Sequence, residues 1–119
     1  MTIQQQELTT DNSGTAIWLV GVSGRLDQNL TPQLESALQS LLSGGYYQLI
    51  VDLAGVTYIN SGGLRCLVSA WRQARQRGGN LALCGLSQRI SDVFAIVGFN
   101  KVFQIYPSAG EAQLALQSS

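Results

Sequence analysis

A chain of 119 residues, 45% of them hydrophobic, has the length of one ordinary domain and enough apolar mass to fill one core without disulfide or metal staples. Seven basic residues balance seven acidic ones and the isoelectric point is about 6.1, so there is no general attraction to nucleic acid or to an anionic membrane, and a partner must be recognised by shape and local chemistry. The chain has no histidine, which excludes a Ser-His-Asp or Cys-His mechanism within one chain. No uncharged apolar stretch approaches the ~20 residues of a membrane span, and the start Met1-Thr2-Ile3-Gln4-Gln5-Gln6 lacks the basic-then-apolar layout of a signal peptide. The expectation is a cytoplasmic protein without membrane insertion. Cys66 and Cys84 sit in apolar patterns with no CxxC spacing, which predicts reduced core thiols, no metal site and no cofactor.

In chain order, Ile3 to Thr9 reads as a first strand, Asp11-Asn12-Ser13-Gly14 as turn chemistry, and Thr15 to Val22 as a second strand, together an opening hairpin. Thr31-Pro32 supplies an N-cap followed by proline at the first helical position. Leu34, Ala37, Leu38, Leu41 and Leu42 then recur at the spacing of one helical face, up to Gly44-Gly45. Tyr46 to Leu53 is continuously apolar at its centre and predicts a buried strand. From Ser61 the period turns helical through Leu64, Leu67, Trp71 and Ala74, ending at Gly78-Gly79. Asn80 to Cys84 reads as a strand, Ser87 as the cap of a short helix ending before Gly98, Val102 to Tyr106 as a strand, and Ala112, Leu114, Ala115 and Leu116 as the apolar positions of a last helix. Strands alternating with helices predict an α/β fold whose sheet has parallel segments.

The junction from Asp52 to Leu64 carries the most information, because a small hydroxyl residue stands between an apolar approach and a helix start. Asn60 or Ser61 can cap that helix by accepting a hydrogen bond from a free N–H of its first turn, and the positive end of the helix dipole tolerates negative charge there. The phosphate loop GxxxxGK[ST] lacks its lysine here, GxGxxG is absent, and the first glycine of the hydrolase elbow GxSxG is Ile59. With its carboxylates scattered, the chain is expected not to be an enzyme.

Asp52-Leu53-Ala54-Gly55-Val56-Thr57-Tyr58-Ile59-Asn60-Ser61-Gly62-Gly63-Leu64 resembles the signature of the STAS family, in which an apolar strand leads to Asp-Ser-(Ser/Thr/Ala)-Gly-Leu at the start of a helix. Gly24-Arg25-Leu26-Asp27 is similar to the family's motif ahead of its first helix. Gly78-Gly79-Asn80-Leu81, Leu86-Ser87 and Val97-Gly98-Phe99 follow in the family's order. The resemblance extends from about residue 3 to residue 116. It implies a mixed sheet of about five strands with about four helices packed on it, and a function like that of the bacterial anti-sigma-factor antagonists. Those bind an anti-sigma factor that is also a serine kinase, are released when it phosphorylates the motif serine, and are restored by a serine phosphatase.

By this resemblance Ser61 is the phosphorylation site. Asp27, Asn60, Ser61, Gly62, Gly63, Leu64 and Arg65 form the partner-binding set, and self-association is possible. The family's usual Asp is Asn60 here, and the following Ser or Thr is Gly62. The alternative is a constitutive STAS-type scaffold or docking domain without a phosphorylation switch. A phosphate on Ser61 would sit in a neutral patch that a covering partner must desolvate without a matching cation. Arg65, Arg72 and Arg75 form a stripe along the same helix, read either as a solvated face or as a contact for an acidic partner.

Overall fold

In the computed structural model, residues 2–8 and 16–117 are described. The elements are β1 (Thr2–Leu8), β2 (Ile17–Leu26), α1 (Thr31–Ser43), β3 (Gln48–Ile59), α2 (Ser61–Gln76), β4 (Asn80–Cys84), α3 (Gln88–Ile96), a 3-10 turn at Phe99–Lys101, β5 (Ile105–Tyr106) and α4 (Ala109–Gln117). The strands form one sheet in the order β1-β2-β3-β4-β5. β1 runs antiparallel to β2 with Thr2 opposite Ser23 and Leu8 opposite Ile17, and the other pairings are parallel. The expected mixed five-stranded sheet with four helices is therefore present. Turn residues Asp11 to Gly14, with Thr9 and Thr15, lie outside the described residues, but the antiparallel register of their flanking strands is that of the expected hairpin.

Alternation along the central strands divides the apolar residues between two faces. Leu49, Val51, Leu53, Leu81 and Leu83 join Leu34 and Leu38 of α1, Leu67 and Ala70 of α2, and Phe94 of α3 in the main core. Ile50, Ala82 and Cys84, with Ile17 of β2, face the other way and meet Ala112 and Leu116 of α4. Three helices thus pack on one face and the fourth on the other. Each leucine so buried contributes about 1.5–3 kcal/mol. An aromatic cluster closes the main core, with Phe94, Phe99 and Phe103 edge to face at centroid separations of 6.0, 6.2 and 6.5 Å and Trp71 against Phe103 at 6.1 Å.

Several features differ from the sequence expectation, among them β2, which runs on to Leu26 rather than ending at Val22. β3 continues to Ile59 rather than ending at Leu53. Two bulges in β3, each adding one residue opposite Gly21/Ser23 and Gly24/Arg25 of β2, let the pair run on together, and after Leu53 the buried positions fall at Val56 and Ile59, three apart, which disguises a strand. The N-cap of α1 is Leu30, not Thr31, and makes no side-chain capping bond. The turn that precedes the helix is held by Asp27, whose carboxylate accepts the N–H groups of Asn29 and Leu30 at 3.0 and 3.2 Å, while the Thr31 hydroxyl is buried without a hydrogen-bond partner. β5 shrinks to two residues because Phe99–Lys101 coils into the 3-10 turn behind Gly98, whose φ of +79° suits glycine. In α4, Leu114 is 66% exposed while Ala112 and Leu116 are buried.

Both cysteines are buried free thiols, as expected. Burial, with Glu35 nearby, pushes the Cys66 thiol up to about 11. Burial together with Asp52, which also hydrogen-bonds to it, pushes Cys84 up to about 12. The thiolate is the nucleophile, so native protein at pH 8 should be labelled by iodoacetamide at well under a tenth of the rate of the urea-unfolded chain. Stoichiometric labelling of native protein within minutes would contradict this burial.

Candidate functional site

The C-terminal ends of β2 and β3 lie side by side, with Leu26 opposite Ile59 and the Asn60 N–H donating to the Leu26 carbonyl at 3.1 Å. That bond joins the Gly24-Arg25-Leu26-Asp27 segment to the start of α2, although the two are more than 30 residues apart in sequence. Asn60 is the N-cap of α2, in extended conformation with φ −98° and ψ 179°. Its Oδ1 accepts the Gly63 N–H at 2.9 Å, and its backbone carbonyl accepts the Leu64 N–H at 3.1 Å.

With Asn60 capping, Ser61 is relieved of that task. Its side chain is exposed on the first residue of α2, and its hydroxyl makes no hydrogen bond to another described residue. Gly62 is open: a Cβ there would lie 3.4 Å from the Asn60 Oδ1 and 3.8 Å from a terminal nitrogen of Arg65. Arg65, one turn along, therefore folds its guanidinium back toward the helix start. Gly63 is closed, since a Cβ would come within 2.9 Å of Ile59 Cγ1 and 3.4 Å of Leu26 Cβ. That close approach seats the helix on the strand ends.

Of the seven candidate residues, Asn60, Ser61, Gly62 and Arg65 are thus gathered at or near the surface of the helix start. Gly63 and Leu64 are buried and build the site from beneath rather than lining it. Asp27 stands at the end of β2, half-buried, with its carboxylate turned to the Asn29 and Leu30 N–H groups. Those bonds, with a smaller contribution from Arg25, hold its carboxyl below the ordinary value. Sequence reasoning missed the pair beside it. Arg25 places its guanidinium 4.2 Å above the ring of Tyr58, its register partner, and that ring is 39% exposed. A tyrosine two positions before Asn60 and an arginine two before Asp27 carried the signal, but only the bulged register aligns them.

The patch is consequently not neutral. Arg65 folds back over the helix start, and the adjoining strand ends carry Arg25, stacked on Tyr58, and the Asp27 carboxylate, so these charges sum to a net positive surface. A phosphate of about −1.5 to −2 would turn that charge negative.

Two outcomes follow from this geometry. Gly63→Ala should lower stability by about 1–3 kcal/mol through overpacking against Ile59, whereas Gly62→Ser should change it by less than about 0.5 kcal/mol. Urea denaturation of both variants checks the contrast. For Asp27 the folded carboxyl titrates below its unfolded value of about 3.9, so its stabilisation is complete above that value and is lost as pH falls through the lower folded pKa. The stability gap between wild type and Asp27→Asn should be constant above about pH 5 and shrink below about pH 3.9. A gap unchanged down to pH 2 would contradict the role of the carboxylate.

The chain is similar to known proteins in sequence and in fold. The STAS domain family matches residues 9–112. The anti-sigma-B factor antagonist of Listeria monocytogenes is 34% identical over 90 residues, covering 76% of this chain and 79% of that protein. The anti-sigma factor antagonist SpoIIAA in its unphosphorylated form superposes with a TM-score of 0.82 at 15% identity, over 99% of this chain and 98% of the other. SpoIIAA of Bacillus in its phosphorylated form gives 0.72 at 17% identity, over 93% and 96%. The chain belongs to the STAS domain family.

Proposed function

We propose that this chain is a cytoplasmic, non-enzymatic regulatory module, a single STAS domain that acts as an anti-sigma factor antagonist. Its partner is an anti-sigma factor with serine kinase activity, bound through the surface around Asp27, Asn60, Ser61, Gly62 and Arg65 while Ser61 is unmodified. Phosphorylation of Ser61 releases the partner, and a serine phosphatase restores binding. The observation that carries the reading is the division of labour at the helix start: Asn60 satisfies the cap, leaving the Ser61 hydroxyl exposed for a modifying enzyme. Relatives named as anti-sigma-B factor antagonists and a fold shared with SpoIIAA, whose structure exists in both phosphorylation states, support it. Among the described residues no helix is long and apolar enough to cross a membrane.

The physical basis of release is charge inversion. An approaching surface complementary to Arg25 and Arg65 is acidic, and a phosphate on Ser61 would both offset their charge and repel that surface. The fold itself is expected to survive, because the helix dipole and the free N–H groups of the first turn accommodate the anion. A loss of about 3 kcal/mol in binding corresponds to more than a hundredfold in affinity.

The test is titration calorimetry of wild type, Ser61→Ala and Ser61→Glu against the host's anti-sigma factor kinase, with phosphopeptide mass spectrometry of the native protein. Ser61→Ala should bind as wild type and Ser61→Glu at least tenfold more weakly, with the peptide containing Ser61 partly phosphorylated. Equal affinity for all three, with that peptide never modified, would instead identify a constitutive docking domain. The neutral Asn60, in the place of the family's aspartate, is the observation that favours this second reading.

A further inference from the structure

α2 buries Leu64, Leu67, Ala70 and Ala74 in the main core. α1 lies along its Cys66 flank and brings Glu35 near that thiol, and on the other flank Trp71 meets Phe103. Along the ridge between these flanks stand Ser61, Arg65, Val68, Arg72 and Arg75, at alternating steps of four and three residues. That alternation keeps them in one line about 21 Å long, and it is the spacing by which one helix meets a second laid along it. Ser61 and the arginines are exposed, and Val68 is half-buried among them. The charge of the ridge is all of one sign. Between Asp52 and Asp92 the chain has no acidic residue, yet Arg65, Arg72, Arg75, Arg77 and Arg89, five of its seven basic residues, fall there. A chain of zero net charge is thus strongly polarised. Glu35 does not reverse this on the ridge, because Cys66 points about 100° round the helix from Arg65.

Taking the anti-sigma factor as the partner, as in the function proposed above, we infer that this ridge receives an acidic helix of that partner. Its glutamate or aspartate side chains would lie opposite Arg65, Arg72 and Arg75, with an apolar side chain opposite Val68. The binding surface then extends from Ser61 along nearly the whole of α2, and Arg72 and Arg75 select acidic partners over others. Because the ridge begins at Ser61, a phosphate there stands in line with the carboxylates of the docked helix and repels its nearest one.

Surface plasmon resonance of the full chain against the host's anti-sigma factor kinase tests it, with wild type, Arg72→Glu/Arg75→Glu, Arg72→Ala/Arg75→Ala and Ser61→Glu. The double glutamate variant should dissociate at least tenfold faster than wild type. The double alanine variant, which favours the helix, should dissociate several-fold faster and keeps the test decisive if the glutamates disturb folding. Wild-type dissociation rates in both double variants, with Ser61→Glu still weakened, would overturn the docking ridge and leave the switch standing. A change confined to the association rate would also overturn it, as the mark of the overall field rather than of a seated contact. Failure of wild type to bind the kinase at all would overturn both readings. Binding of double-stranded DNA that the double variants lose, with kinase binding unchanged, would assign the ridge to nucleic acid instead.

Discussion

The parallel pairing of β2 with β3 beyond Asp52 is the constraint on which the exposed helix start depends. Two bulges in β3 allow the strands to remain paired as far as Leu26 and Ile59, and only because they end together can the Asn60 N–H reach the Leu26 carbonyl. Gly55 belongs to the same adjustment, since a Cβ there would meet the Ser23 Oγ at 2.9 Å. Shorter pairing would leave Asp27, Arg25 and Tyr58 elsewhere, and Ser61 would begin a helix with no neighbours at its end.

At that helix start the roles are separated between adjacent residues. Asn60 spends its side chain on the backbone, Gly63 lets α2 settle on Ile59 and Leu26, and Leu64 anchors the first turn in the core. A residue held from below on three sides is fixed in position while its own side chain remains exposed, which is the geometry a modification site requires. The replacement of a carboxylate by the Asn60 amide keeps the capping bond, because the cap needs an oxygen acceptor rather than a charge. What it removes is one negative charge beside Ser61, leaving Arg25 and Arg65 to dominate the local field.

Much of this was legible in the sequence because local chemistry decided it. The leucine periodicity of α1, the caps at Ser87 and Asn60, and the glycine stops after α1 and α2 all act within one turn of the chain, and the structure reproduces them. Ser61 stood out for the same reason. Features set by tertiary contact were not legible. The extension of β3 past Leu53 depends on two bulges within it that only its pairing with β2 places, and the turn leading into α1 is held by the Asp27 carboxylate reaching forward to Asn29 and Leu30 rather than by the Thr-Pro pattern. The Arg25 and Tyr58 stack joins residues 33 positions apart through a register that no periodicity encodes.

The union of Leu26 and Asn60 also bears on when in the life of the chain the exposed surface comes into being. Its two halves are joined by no local turn. They meet only after α1 has crossed over and a parallel ladder has closed, a non-local step that comes late relative to hairpin and helix formation. A nascent or partly denatured chain carries Ser61 but lacks the neighbouring Arg25, Tyr58 and Asp27. Whatever recognises the assembled surface therefore distinguishes finished molecules from unfinished ones, and such recognition doubles as a check on folding.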